Sequence, residues 1–195
     1  MIKEDTLKKR YFYKLGANLI SVPISFVIQA IIPRGLGPSH YGNFTFLTNF
    51  FTQAVGIFDA GSSIGFYSKL SRRLKEKSLI KFYWCFVIIV STTLLIFLPF
   101  VFLFNMEKTV FPGQSGKYIF MALIFSLLNW VFQIFSKIID AYGLTSKGEL
   151  VRIAQKVFSL VLISSLFFIN KLNLLNFFYY QYIIIFFICF FWWRV

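Results

Sequence analysis

Charge is what this chain has least of. Asp, Glu, Lys and Arg together supply 14% of its 195 residues, where a water-soluble domain carries about a quarter. Only seven residues are acidic, there is one histidine, His40, and there are two cysteines, Cys85 and Cys189. Each scarcity excludes something. Both cysteines fall inside apolar blocks, which argues against a disulfide framework or a zinc site and leaves them as packing residues. His40 has no acidic residue near it in sequence, so it offers no acid–base pair. No Walker loop, metal-ligand spacing or nucleophile elbow is present, and Ser62-Ser63 has no histidine beside it. The sequence is therefore read as non-enzymatic, with no catalytic residue, cofactor or metal.

What is present is apolar. The set AVILMFWYC makes up 58% of the chain, with 28 Phe, and it is strung into blocks over residues 14–32, 43–66, 82–104, 118–139, 157–170 and 177–193. Blocks of about twenty apolar residues span a bilayer as helices. The expected fold is an all-α integral membrane protein, a single bundle of about six transmembrane helices over 1–195. The fifth block is short and needs flanking residues to cross, so five spans is the alternative. The first block follows a basic N-terminus, as a signal peptide would, but it lacks a small-x-small cleavage site and is read as a retained helix.

The net charge of +13 would suggest nucleic acid in a soluble chain. Here it follows topology, and no nucleic-acid partner is expected. With the N-terminus inside, every Lys and Arg except Arg34, Lys108, Lys117 and Lys171 falls on the inner connections. That asymmetry repeats at each successive loop, which is the positive-inside pattern, and it places both termini in the cytoplasm. The basic run from Lys69 to Lys81 fits orientation and attraction to anionic lipid headgroups.

Three spans carry polar residues at helical spacing. The first has Asn18, Ser21, Ser25 and Gln29, with Pro23 midway. The second has Thr45, Thr48, Asn49, Thr52, Gln53, Gly56 and Asp59, and the fourth has Ser126, Asn129, Gln133, Lys137 and Asp140. Such stripes avoid lipid, either by hydrogen bonding between helices or by lining a wet cavity. Three stripes that each include amides point to a cavity between spans one, two and four. Spans three, five and six lack a stripe and are expected to face lipid. Asp59, Lys137 and Asp140 lie near span ends, as interface charges or as groups that line the cavity or couple to an ion. Pro23 frees a backbone carbonyl, which permits either a bend used in gating or a fixed kink.

Between the first two spans runs Arg34-x-Leu36-Gly37-Pro38-x-x-Tyr41-Gly42, a tight Gly- and Pro-rich reversal. Together with Asn18, Pro23 and Asp59-Ala60-Gly61, it makes the first 65 residues resemble the Wzx-type polysaccharide flippases, O-antigen-unit transporters of the multidrug, oligosaccharidyl-lipid and polysaccharide exporter superfamily. The resemblance implies a multi-pass transporter of the bacterial inner membrane. Two lobes of six helices would carry an undecaprenyl-pyrophosphate-linked oligosaccharide across by alternating access. Six spans correspond to one lobe, so the chain is expected to be a fragment, a truncated frame or a half-transporter that pairs with a second lobe or with another copy. In this setting the substrate-facing candidates are Arg34, Asn18, Ser25, Gln29, Asn49, Gln53, Asn129 and Gln133. Arg34 suits a pyrophosphate by its planar fork, or else caps the first helix. Two alternatives remain: a non-transporting scaffold subunit, and a membrane-embedded glycan-modifying enzyme, which the short outer loops disfavour.

Overall fold

The computed structural model describes residues 6–72 and 76–193, with side chains as far as 191. Lys3, Arg73, Lys75 and Arg194 of the charge pattern lie outside the described residues. Among the described residues eight helices occur, in the order α1 (Leu7–Leu36), α2 (Pro38–Asp59), α3 (Ser62–Arg72), α4 (Lys77–Leu103), α5 (Glu107–Val110), α6 (Gly116–Ala141), α7 (Thr145–Phe168) and α8 (Leu174–Trp193). No strand occurs among the described residues. Five of these helices, α1, α4, α6, α7 and α8, are long and apolar enough to cross a membrane. The protein is thus an all-α membrane protein.

The helix boundaries differ from the apolar blocks in three places. The second block, 43–66, is not one helix. It breaks at Ala60 and Gly61, whose φ values of 41° and 80° end α2. With 22 residues α2 is long enough to cross, yet it is absent from the five because its polar stripe lowers its hydropathy. The fifth block, 157–170, is the end of a longer helix that starts at Thr145. Lys147, Glu149, Arg152 and Lys156 form its first half, since such residues are good helix formers and hydropathy cannot see them. The reversal after the first span shrinks to a single residue. Only Gly37, at φ 76°, separates α1 from α2, and its N–H bonds to the Pro33 carbonyl. Pro38 then opens α2, where its missing N–H costs nothing.

The chain divides into two compact units, Met1–Gly42 with Phe135–Val195, and Asn43–Ile134. In the first, α1 runs parallel to α7. Lys156 meets Ser25, and eleven residues further along α7 Phe167 lies against Gly35. A Cβ at Gly35 would stand 2.6 Å from Leu172 Cδ2, so the absent side chain is what lets α1 approach. α8 folds back on α7, with Phe158 stacked on Phe187 at 4.3 Å and the Ser159 and Tyr180 hydroxyls 2.5 Å apart. α8 buries Phe177, Tyr180, Ile184 and Ile188, and exposes Tyr179, Ile183, Phe186 and Phe190. Both faces are equally apolar, so the division comes from packing.

In the second unit α2 runs parallel to α6, and α4 runs opposite to both. Gln114 donates to Asn43 at one end, Thr52 donates to Ser126, and Ser126 donates to the Thr48 carbonyl. α2 buries Phe44, Leu47, Thr48, Phe51 and Val55, a stripe at steps of three and four. Phe86 meets Trp130 near one end of α4, and Phe102 lies 3.3 Å from the place of a Cβ on Gly116 near the other.

Candidate functional site

Two polar cavities collect most of the candidate residues, one in each unit. In the first unit the α1 stripe faces α7. Asn18, Ser21, Ser25 and Gln29 line a cavity of about 330 Å³ with Val22, Phe26, Arg152 and Lys156, which falls within the range of small-molecule sites. Lys156 Nζ donates to Ser25 Oγ at 2.9 Å. Arg152 Nη1 stands 3.3 Å from Glu149 Oε2, and Glu149 is 3% exposed. This ion pair falls short of hydrogen-bond geometry, and Glu149 Oε2 has no hydrogen-bond partner. Lys14 Nζ pairs with Asp140 Oδ2 at 3.2 Å near the same end of α1. Two cations thus face a row of amides and hydroxyls inside helices apolar enough to span a bilayer. An anionic group that could also accept hydrogen bonds from the stripe would satisfy both sets.

In the second unit Thr52, Val55, Gly56 and Asp59 of α2 face Ser126, Asn129, Trp130 and Gln133 of α6 across a cavity of about 140 Å³. Asp59 is tightly held at its edge. Oδ1 accepts from Ser62 Oγ at 2.8 Å, Tyr83 Oη at 3.0 Å and the Ser63 backbone N–H at 3.2 Å, while Oδ2 accepts from Ser63 Oγ at 2.7 Å. A carboxylate at the first turn of α3 meets the positive end of that helix. Tyr83 also stacks on Phe66 at 4.3 Å, which fixes α3 against α4. The position of Asp59 therefore has a full structural account as the clasp of the α2–α3 break.

The remaining candidates are dispersed. Arg34 is exposed in the last turn of α1, where a cation complements the helix end. Asn49 and Gln53 are exposed on α2 and do not line the cavity beside it. Lys137 is half-buried in the last turns of α6. His40 is exposed in the first turn of α2.

Sequence reasoning missed Arg152, Lys156 and Trp130. The charge pattern places the first two on an inner connection, although Glu149, Arg152, Lys156 and Ser159 stand at steps of three, four and three. Extending the stripe search upstream of residue 157 would have found them. Trp130 carried no signal, because an aromatic residue in an apolar span reads as packing. Comparison of the chain with protein-family models, with curated proteins and with solved structures finds no match.

Proposed function

We propose that the chain is a lobe of a flippase that moves a lipid-linked oligosaccharide across the bacterial inner membrane, with the phosphate-bearing end of the cargo held between α1 and α7. The α1–α7 cavity carries this reading. Arg152 and Lys156 stand in a membrane-spanning helix, where cations are costly unless they are used, and the stripe opposite them can bond phosphate or sugar oxygens.

Parallel packing supports six crossings rather than five. α1 and α7 point the same way, so the chain between them crosses an odd number of times. α4 and α6 supply two crossings, and α2 supplies the third. The parallel pairing of α2 with α6 gives the same answer from the other unit. Six crossings return both termini to one side, which the charge asymmetry makes cytoplasmic.

The test is export. Arg152→Gln and Lys156→Gln are each expected to lower surface glycan in a bacterium lacking its own flippase by about tenfold or more, with membrane insertion unchanged. They should also weaken binding of undecaprenyl pyrophosphate to the purified chain. Wild-type levels of both in the double variant would overturn the reading.

A further inference from the structure

Glu149 is a buried charge to which the transport reading gives no task. It stands in the second turn of α7, is 3% exposed, and does not line the α1–α7 cavity. We infer that it is a tethered anion that competes with the cargo's phosphate for Arg152, and so sets how fast the cargo leaves. This role rests on the transport reading, since the phosphate between α1 and α7 is what Glu149 competes with.

The pairing of the two side chains is close and unfinished. Arg152 Nη1 lies 3.3 Å from Glu149 Oε2, so the opposite charges attract. No hydrogen bond joins them, and Oε2 has no hydrogen-bond partner. A guanidinium carries five N–H donors, and Arg152 spends none of them among the described residues. It therefore borders both a carboxylate and a cavity and is committed to neither. Lys14 and Asp140 also act on Glu149, with opposite signs, but Lys14 is bonded to Asp140 at 3.2 Å.

Local packing keeps the carboxylate in place. A Cβ on Gly148 would lie 3.2 Å from Ile139 Cγ2, so the missing side chain lets this turn of α7 come against the end of α6. Thr145 and Ser146, one turn earlier, are buried as well. A buried carboxylate oxygen without a donor is costly, and Arg152 is the donor beside it. A forked pair with Glu149 withdraws part of that fork from the cavity, and a forked pair with phosphate withdraws it from Glu149. Occupancy of the cavity is thus opposed from within the protein, which speeds release.

The purified full chain in nanodiscs is titrated with undecaprenyl pyrophosphate, and affinity and dissociation rate are both measured. Glu149→Gln keeps the size and an acceptor while removing the charge. It is expected to bind about tenfold tighter through slower dissociation. The melting temperature should be unchanged or higher, because Arg152 is 39% exposed and its loss of a partner strands no buried cation. In the Arg152→Gln background the same change should alter affinity by less than about twofold. Glu149→Asp draws the charge back by one methylene and should fall between wild type and Gln, and it carries the test should the Gln variant not fold. Weaker binding by Glu149→Gln would overturn the inference, because Glu149 would then hold Arg152 in place for the cargo. Unchanged affinity or unchanged dissociation would overturn it too, as would equal tightening with and without Arg152, which is a field effect of the charge alone. Weakening of binding by Arg152→Gln and Lys156→Gln sustains the transport reading whichever way Glu149 behaves, so the two fail separately.

Discussion

Lys156 of α7 donates to Ser25 of α1 across 2.9 Å, which ties a cation in one membrane-spanning helix to the polar stripe of another. Arg152 lies one turn earlier on the same side and lines the same cavity. Lys156 does not stabilise the fold cheaply, because a partly desolvated ammonium gives up more hydration than one neutral hydroxyl returns. The arrangement has the character of a site kept for a ligand. Lys156→Met preserves length and packing while removing the charge. It should leave the melting temperature in detergent unchanged or higher, and weaken undecaprenyl pyrophosphate binding about tenfold. A large loss of stability with unchanged binding would make Lys156 a structural strut.

The crossing proposed for α2 is tested at its two ends. In a chain with Cys85 and Cys189 replaced by serine, Ser39→Cys should react with an impermeant thiol reagent in intact cells, and Ser78→Cys should not. Ser39 precedes most of α2 and Ser78 lies in the first turn of α4. Equal labelling of both would mean that α2 does not cross.

The sequence made the long apolar helices plain and hid their partners. α4, α6 and α8 follow their apolar blocks closely, because twenty apolar residues in lipid have few options besides a helix. α7 was half concealed, since Thr145 to Lys156 is helical by propensity and polar by composition. The α2–α3 break left a trace in Asp59-Ala60-Gly61, but its clasp needed Tyr83, which is distant in sequence. The pairing of α1 with α7 was illegible for a similar reason. Asn18, Ser21, Ser25 and Gln29 announce a face that avoids lipid, and nothing in their spacing names Arg152 and Lys156 as what they meet.

Gly35 and Leu172 set how closely α1 approaches the α7–α8 connection. A methyl at Gly35 would lie 2.6 Å from Leu172 Cδ2 and 3.3 Å from its Cβ. Gly35→Ala should cost about 1 kcal/mol, because the end of Leu172 can swing aside, and Gly35→Val roughly 2–3 kcal/mol. Leu172→Ala should recover much of the loss in a double mutant, read by thermal unfolding in detergent. Additive losses would place the clash elsewhere.

Asp59 should behave as a clasp. Asp59→Ala removes the acceptor that the hydroxyls of Ser62, Ser63 and Tyr83 share and the anion at the first turn of α3, at a cost of about 1–3 kcal/mol. Asp59→Asn keeps an acceptor and should lose less. Both variants should speed proteolysis between α3 and α4. Unchanged proteolysis with lost export would instead make Asp59 a functional group.

The exposed amides of α2 predict assembly. Asn49 and Gln53 stand outside the cavity beside them and are exposed in the single chain, although the crossing proposed for α2 carries them into the bilayer. An unpaired amide facing lipid costs several kcal/mol, so this face is expected to be covered by another bundle, and a second copy of the chain is the simplest source. In the cysteine-free background, Asn49→Cys should cross-link between copies on mild oxidation, and the purified protein should count as two or more chains per particle by photobleaching. Asn49→Leu with Gln53→Leu removes the need for a cover and should shift the count toward one while α2 still inserts. Glycan export restored by a strictly single-chain particle would overturn this expectation, because alternating access needs a second wall for the cavity to open against.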